Sequence, residues 1–218
     1  MRMRKKKHGA ERLEACGEIL LERPGEPIKS PEEIFGRGGE LRLEIGCGKG
    51  GFACGMAEKH PEANFIALER VNDVMVVAVE KAMLKKEQRS ADNLRFMIAR
   101  AEDLSEIFEK SSVDVIYLNF SDPWPKKGHA KRRLTYRTFL NSYFSILKNG
   151  GKLCFKTDNK GLFDFTLEEL AELGVECDYV TYDLHSSEYA ENNVMTEYET
   201  NFSSQGIPIC ALSLTNKK

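Results

Sequence analysis

The chain has 218 residues and a formal net charge of −2, because 32 lysines and arginines nearly balance 34 aspartates and glutamates. That length suits one domain of ordinary size with a large hydrophobic core, and it excludes a small scaffold that depends on disulfide bonds. The longest apolar run, 74–79, is far shorter than the about 20 residues of a membrane span, and the basic start of the chain has no apolar segment behind it. We therefore expect neither a membrane segment nor a secretory signal.

The first 39 residues differ in composition from the rest of the chain. Residues 1–14 hold six basic side chains against two acidic ones, and Pro24, Pro27 and Pro31 follow among several glycines. Proline and glycine interrupt regular structure. This composition predicts a basic N-terminal arm over 1–39, followed by a single domain over 40–218.

From residue 41 onward, short apolar runs alternate with longer amphipathic stretches, which predicts alternating strands and helices. Asn72 is expected to cap the second helix. Strict alternation predicts an α/β fold with a Rossmann-like, seven-stranded, mostly parallel sheet and helices on both faces. The last two strands have no helix between them, so the last strand is expected to be antiparallel. The predicted strands are 41–45, 64–68, 94–98, 113–119, 152–156, 175–182 and 209–214, and the predicted helices are 51–59, 72–88, 102–108, 136–147 and 162–173.

The six cysteines are spread along the chain without a C-x-x-C pair, and several lie inside apolar, strand-like runs. This usage is typical of reduced thiols rather than of a disulfide framework or a zinc site. We expect a cytoplasmic protein that holds no metal.

A glycine-rich segment, Glu44 to Gly51, joins the first predicted strand to the first predicted helix. Glycines permit a tight turn and close approach of the backbone to a ligand, so we expect Gly46, Gly48 and Gly50 to line a cofactor. The spacing of Gly46, Gly48 and Gly51 also fits the G-x-G-x-x-G pattern of dinucleotide-binding folds. The loop alone therefore leaves the class of cofactor open.

Two carboxylates narrow the class of cofactor. Glu44 would lie beside the bound ligand, where it is unfavourable next to a pyrophosphate but favourable next to a cationic aminoacyl sulfonium. Glu69 ends the second predicted strand, where its carboxylate can accept both hydroxyls of a ribose. The pair resembles the S-adenosylmethionine site of class I methyltransferases. In many such enzymes an aspartate or asparagine that contacts the adenine stands where this chain has Arg100. The backbone at Ala101 or the side chain of Glu102 would then make that contact. Alternatively, Glu102 only opens a helix and interacts favourably with its dipole.

The fourth predicted strand runs into the sequence NFSDPWPKK, residues 119–127. Ligands of open parallel sheets bind beyond the carboxyl ends of the strands, so Asp122 and Trp124 are expected to face the cofactor cleft, although a single tryptophan often lies in a core. Prolines on both sides of Trp124 stiffen the loop. Six basic residues follow by Arg137, and they would hold phosphates beside a base-sized pocket.

Charge is distributed unevenly along the chain. Residues 161–200 contain eleven acidic side chains and no lysine or arginine, whereas 123–137 contain six basic side chains and no acidic one. Such asymmetry predicts a polyanionic partner better than the total charge does, although two solvated faces of opposite sign would give the same pattern.

These motifs together resemble the bacterial tRNA (guanine-N7-)-methyltransferase family. The likeness rests on EIGCGKG, ALER and SDPWPKKGHAKRR, on Lys156-Thr157-Asp158 after the fifth predicted strand, and on Thr196-Glu197-Tyr198-Glu199 near the C-terminus. It covers most of the chain from about residue 40. It implies methyl transfer from S-adenosylmethionine to N7 of the guanosine in the variable loop of tRNA, position 46 by tRNA convention, by a methyltransferase domain over 40–218.

The resemblance also implies roles for individual positions. Asp122 would be the catalytic residue and would contact the cofactor, as would Glu44, Gly46, Gly48, Gly50, Glu69, Arg100 and Ala101. The implied substrate contacts are Lys126, Asp158, Thr196, Glu197, Tyr198 and Glu199, and the implied RNA contacts are Gly128, His129, Lys131, Arg132 and Arg133. A monomer and a homodimer are both compatible with the sequence.

Guanine N7 has an in-plane lone pair and no proton, so in-line methyl transfer needs alignment rather than a general base. Asp122 is accordingly expected to orient the base. An NAD-dependent dehydrogenase would share the glycine loop and Glu69, but Glu44 would be out of place. A non-catalytic RNA-binding protein would not need the cofactor loop, and a methyltransferase of proteins or small molecules would not need the DPWPK and TEYE sequences.

Overall fold

The computed structural model describes residues 5–86 and 90–217, and its centre is an eight-stranded sheet in the order β1-β4-β3-β2-β5-β6-β8-β7. All neighbouring strands are parallel except for β8, which is antiparallel to both β6 and β7. The strands are β1 (Leu20–Leu21), β2 (Leu41–Ile45), β3 (Asn64–Glu69), β4 (Leu94–Ile98), β5 (Val113–Asn119), β6 (Leu147–Thr157), β7 (Tyr179–Thr181) and β8 (Cys210–Thr215).

Helices cover the sheet and connect its parallel strands. The α-helices are α1 (Gly9–Glu14), α2 (Glu32–Phe35), α3 (Gly51–Lys59), α4 (Asn72–Leu84), α5 (Leu104–Ile107), α6 (Arg137–Ile146), α7 (Lys160–Glu172) and α8 (Glu197–Ser203), and short 3₁₀ turns occupy Ala101–Asp103, Lys127–Arg132 and Leu184–Ser186. Within the described part of the chain, no helix is both long and apolar enough to cross a bilayer.

The predicted α/β architecture, the mostly parallel sheet and the antiparallel last strand are confirmed. The expectation that no helix lies between the last two strands is wrong, because α8 lies between β7 and β8. The predicted number of seven strands is wrong by one, because Leu20 and Leu21 pair in parallel with Phe96 and Met97 of β4. A strand of two residues is too short to produce a periodic pattern. The predicted end of the second helix also differs: α4 ends at Leu84, and residues 87 and 88 lie outside the described residues.

The expected cap of α4 is wrong. Asn72 is the first helical residue, and Val71 occupies the cap position without a side-chain hydrogen bond. The backbone N–H of Val71 instead donates a hydrogen bond to Oε1 of Glu69, at 2.9 Å. The carboxylate at the end of β3 therefore satisfies a backbone group where the chain enters the helix.

The described part of the N-terminal arm packs against the edge of the sheet. Leu13, Cys16 and Ile19 are buried against α4, and the Arg12 guanidinium forms two 2.7 Å hydrogen bonds with the Glu80 carboxylate. Residues 1–4, the most basic part of the predicted arm, lie outside the described residues. The division into an arm over 1–39 and a domain over 40–218 stays a prediction.

The core consists of two apolar layers, one on each face of the sheet. Leu41, Leu43 and Ile45 of β2 point into the larger layer with α5, α6 and α7, whereas α3 and α4 cover the other face. Glu44 is the exception to the alternation along β2, because it is buried as well. All six cysteines are free and at least partly buried.

Candidate active site at the carboxyl edge of the sheet

The parallel strands β4, β3, β2 and β5 end at one edge of the sheet, and the residues predicted to bind the cofactor lie at or just after these ends. This convergence follows from the topology, since parallel neighbours place all their carboxyl ends together. The residues gathered there are Glu44, Gly46, Gly48, Gly50, Glu69, Arg100, Ala101 and Asp122.

The glycine loop is held against β3 and is open on its outer side. The N–H groups of Gly46 and Cys47 both donate to the carbonyl of Leu68 at 2.8 Å. Gly46 and Gly48 have φ values of 78° and 56°, and a Cβ at either position would meet no atom of the described residues within 4 Å. The left-handed backbone requires glycine there, and the open space is available to a ligand.

Gly50 has a different surrounding. A Cβ on it would lie 3.0 Å from Cβ of Ala78 and 3.1 Å from Cε1 of Phe96. Its lack of a side chain therefore lets the start of α3 pack against α4 and β4. A cofactor contact at Gly50 stays a prediction.

Glu44 is a buried carboxylate with one oxygen unsatisfied. Its Oε1 accepts a hydrogen bond from Nδ2 of Asn119 at 2.9 Å, whereas its Oε2 is buried and has no hydrogen-bond partner among residues 5–86 and 90–217. Burial raises the pKa of Glu44 to about 7, although the Asn119 hydrogen bond and the Lys156 charge act to lower it. A polar ligand beside Oε2 would supply the missing partner.

Glu69 connects the glycine loop to the start of α4. Its Oε2 accepts the N–H of Gly48 at 3.2 Å, and its Oε1 accepts the N–H of Val71. Burial raises the pKa of Glu69 in spite of these hydrogen bonds. At the end of β4, Ala101 is buried, whereas Arg100 and Glu102 are both exposed.

The loop after β5 has an unusual backbone. Phe120 and Trp124 have φ values of 50° and 41°, a conformation that costs non-glycine residues free energy. The Oγ of Ser121 is buried and has no hydrogen-bond partner in the part of the chain that the structure describes. Asp122 faces solvent, with 70% of its side chain exposed. Its carboxylate lies 3.6 Å from Nη2 of Arg70, which follows β3.

Arg133 holds the backbone of this loop through its guanidinium. Its guanidinium donates to the carbonyls of Pro123 at 3.0 Å and Trp124 at 3.1 Å, and it stacks 4.2 Å from the ring centre of Phe165. Sequence reasoning assigned Arg133 to RNA and missed this use of its side chain. A direct RNA contact by Arg133 stays a prediction.

Trp124 is half-buried beside two residues of the segment 126–133, called the basic loop below. The Arg132 guanidinium lies 5.0 Å from the ring centre of Trp124, and the His129 ring meets Trp124 edge-on at 5.6 Å. The sequence suggested that all six cations of 123–137 hold phosphates, but Arg137 instead pairs with buried Glu169 at 2.9 Å. The cations that remain exposed are Lys126, Lys127, Lys131 and Arg132, with Gly128 among them.

The Thr196–Glu199 sequence forms the start of α8. Thr196 and Glu199 are buried and form a capping box, in which the Thr196 hydroxyl accepts the Glu199 N–H at 2.9 Å. Tyr198 is 58% exposed, and Glu197 forms an ion pair with Lys81 of α4. Asp158 is half-buried just after β6. The substrate contacts implied for these residues stay predictions.

Residues 192–197, called the strap below, run along one side of α3. Lys59 Nζ donates to the Asn192 carbonyl at 3.1 Å, and a Cβ on Gly55 would lie 2.7 Å from Cγ1 of Val194. Glu197 lies against Gly51. Gly51, Gly55 and Lys59 are spaced four residues apart, so they lie on one face of the helix.

Three residues of the site were missed from the sequence. Asn119 binds Glu44, Arg70 faces Asp122, and Gly55 admits Val194. Only Gly55 gave a signal in advance, since a glycine inside a helix costs stability and indicates close packing. The partners of the two carboxylates depend on which strands are neighbours, and the sequence does not specify that order.

The raised pKa of Glu44 predicts a pH-dependent stability. Folding favours its neutral form, so this residue lowers the free energy of unfolding as the pH rises from about 4.5 through about 7. Glu44→Gln should therefore be more stable than wild type at pH 8 by about 2–3 kcal/mol, with most of that difference lost at pH 5. Urea unfolding at both pH values measures it, and exposed Glu58→Gln on α3 is the control. An equal difference at both pH values would contradict the assignment.

The contact between Gly55 and Val194 predicts a position-specific effect of alanine. Gly55→Ala should displace the strap, because Val194 is stiff at χ1 and lies within 2.7 Å of the new Cβ. The matched control is Gly161→Ala in α7, where the nearest atom is 3.5 Å away and stability should rise by up to about 1 kcal/mol. Hydrogen exchange of residues 192–197 should be faster only in Gly55→Ala. Equal protection in both variants would refute this packing.

Known structures share this fold. An antibiotic-related methyltransferase superposes with a TM-score of 0.60 at 21% identity, over 84% of this chain and 90% of that chain. The 16S rRNA methyltransferase KamB superposes with a TM-score of 0.63 at 17% identity, over 84% and 91%. Phosphoethanolamine N-methyltransferase 2 of Haemonchus contortus, solved with S-adenosyl-L-methionine, gives a TM-score of 0.52 at 13% identity, over 97% of this chain and 52% of that chain.

The sequence also matches a family model described as "Putative methyltransferase" over residues 39–212. This match includes the glycine loop, the loop after β5 and the start of α8, which together form the edge described above. The chain is therefore a member of this methyltransferase family.

Proposed function

We propose that this methyltransferase transfers a methyl group from S-adenosylmethionine to N7 of a guanosine in the variable loop of tRNA, giving 7-methylguanosine. The observation that carries the proposal is the placement of the loop after β5. Its exposed Asp122 faces the cofactor edge, and four exposed cations follow Trp124 along the chain. Residues suited to bind a base and residues suited to bind phosphates thus lie next to the glycine loop.

The residues at the edge fit S-adenosylmethionine, which supplies an electrophilic methyl group on a sulfonium when it is bound. The open space over Gly46 and Gly48 accommodates a ligand close to the backbone. The unsatisfied Oε2 of Glu44 can accept a hydrogen bond from the ammonium of the aminoacyl part, and Glu69 can accept the ribose hydroxyls. A buried carboxylate beside the loop is unfavourable for a pyrophosphate, which argues against a dinucleotide.

The adenine end is less specific. Arg100 stands where many class I methyltransferases have an aspartate or asparagine, and its side chain is exposed. Backbone groups at buried Ala101 are then the recognition elements that remain next to the end of β4. The adenine would be held there by the backbone and by packing.

The reaction requires alignment rather than proton transfer, because N7 of guanine carries a lone pair and no proton. Holding the base in line with the methyl donor is worth up to about 7–11 kcal/mol in favourable systems. Asp122 is suited to orient the base by accepting hydrogen bonds from its N1–H and N2–H₂ groups, and half-buried Trp124 offers a flat surface. Arg133 keeps both residues in place by holding the loop carbonyls.

The methylated base is a cation, so negative charge near it would favour the product. Asp158 lies half-buried after β6 and is the best placed carboxylate for this task. Two other carboxylates of residues 161–200 have partners within the protein, since Glu169 pairs with Arg137 and buried Glu199 pairs with Lys156.

The activity is tested by incubating the chain and labelled S-adenosylmethionine with tRNA or with 16S rRNA, followed by mass analysis of nucleosides. We expect 7-methylguanosine in tRNA alone. Asp122→Ala should reduce turnover by about 100-fold or more without unfolding the protein, because the base is no longer oriented and the lost ion pair is exposed. Asp164→Ala, which breaks an exposed ion pair in α7, is the control. Near-normal turnover by Asp122→Ala would exclude the orienting role, and methylated rRNA would exclude the tRNA proposal.

The basic loop predicts a salt-dependent affinity for RNA. Replacement of both Lys131 and Arg132 by alanine should weaken tRNA binding and reduce the slope of log K against log salt by about 1–2, because fewer counterions are released. Arg133 is retained because it donates hydrogen bonds to the backbone of the loop after β5. Replacement of Lys110 and Lys152, exposed cations that lie away from the carboxyl ends of β5 and β6, removes equal charge and should leave the slope unchanged. Equal slopes in both double variants would argue against this RNA face.

A further inference from the structure

A buried ion pair lies beneath the strap and α8. The ammonium of Lys156, near the end of β6, is 2.5 Å from Oε2 of Glu199 in α8. Lys156 is 6% exposed and Glu199 is 0% exposed. Such a pair has little access to water, so its members depend on each other and on hydrogen bonds within the protein.

Every donor position of the Lys156 ammonium is used. Besides Glu199, it donates to Oδ1 of Asn193 at 2.9 Å and to the carbonyl of Val194 at 2.8 Å. It also lies 5.0 Å from the centre of the Phe52 ring in α3. One side chain of the sheet therefore holds two residues of the strap and one residue of α8.

The Glu199 carboxylate is equally occupied. Its Oε1 is hydrogen-bonded to Nε2 of His185 at 2.8 Å and accepts a hydrogen bond from Nδ2 of Asn193. Its Oε2 accepts from Lys156 and from the backbone N–H of Thr196, at 3.3 Å. Burial alone would raise the pKa of Glu199, but Lys156 and these hydrogen bonds lower it, so the residue is held as a carboxylate.

An RNA contact by Glu199 would require these bonds to break. Removing one partner from a buried pair leaves an uncompensated charge, which strongly destabilises the protein. The neighbouring residues of α8 face outward instead: Tyr198 is exposed and stacks 6.4 Å from Phe120 in the loop after β5, and Glu197 lies against Gly51. The pair is thus internal, and the residues next to it reach the site.

We propose that Lys156 and Glu199 are positioning residues, which hold the strap and α8 so that Glu197 and Tyr198 lie at the active site, and that Glu199 does not contact the RNA. This inference rests on the proposed function and deepens it. It reassigns Glu199 from the substrate contacts that the family resemblance implies. Glu199, the last residue of the TEYE sequence, then acts through its neighbours Glu197 and Tyr198.

The test compares four full-length variants with the wild type: Lys156→Met, Glu199→Gln, the double variant carrying both, and Lys160→Met as a control. Lys160 forms an exposed ion pair with Asp164, four residues further along the chain. For each protein, hydrogen exchange of residues 193–199 is measured together with kcat and KM for tRNA methylation. Binding of S-adenosylhomocysteine is measured in parallel.

Lys156→Met leaves a buried charge unpaired, so residues 193–199 should lose protection and kcat/KM for tRNA should fall by about tenfold or more. Glu199→Gln keeps a side chain of the same shape and should have a smaller effect. The double variant should recover only part of the loss of Lys156→Met, because neither buried charge remains but the hydrogen bonds from Lys156 to Asn193 and Val194 are still missing. Lys160→Met should match the wild type.

Two results would overturn the proposal. One is Glu199→Gln with wild-type protection of residues 193–199 but a kcat at least about tenfold lower, because Glu199 would then act on the substrate. The other is Lys156→Met with unchanged protection and turnover. If the wild type methylates no tRNA while it binds S-adenosylhomocysteine, the proposed function fails, and hydrogen exchange still reports whether the pair holds the segment.

Discussion

The desolvation of Glu44 is the constraint on which the rest of this site depends. Its carboxylate is buried at the end of the central strand β2, where Asn119 of β5 donates to Oε1 and no described residue forms a hydrogen bond with Oε2. A buried carboxylate without full hydrogen bonding lowers stability, and the fold tolerates it because the surrounding core is large. This arrangement is understandable if stability is given up for ligand binding, since a cationic ligand would complete the set of partners.

Electrostatic coupling extends from this carboxylate across the sheet. Lys156 of β6 lies close enough to lower the pKa of Glu44, and it holds Glu199 directly. One buried cation is therefore shared between the cofactor edge and the segment that enters α8. The position of the segment that enters α8 is therefore coupled electrostatically to the cofactor edge of the sheet.

The sequence predicts the strands, the glycine loop and the position of the loop after β5, because these depend on local periodicity and on glycine and proline chemistry. It does not predict the short β1, whose two leucines act only through their pairing with β4. Nor does it separate Arg132 from Arg133, which are adjacent and alike, although one lies over Trp124 and the other holds backbone carbonyls. The burial of Glu199 was missed for the same reason, since the partners that neutralise it are distant in sequence.

The left-handed backbone at Phe120 and Trp124 has a consequence for how this protein can change. Each such residue costs on the order of 1–3 kcal/mol, which glycine would largely recover. Selection for thermal resistance alone would favour glycine at both positions, and it would remove two aromatic rings from the loop after β5. Relief of backbone strain at these positions therefore changes the edge of the sheet, whereas stabilising substitutions elsewhere in the fold leave that edge unchanged.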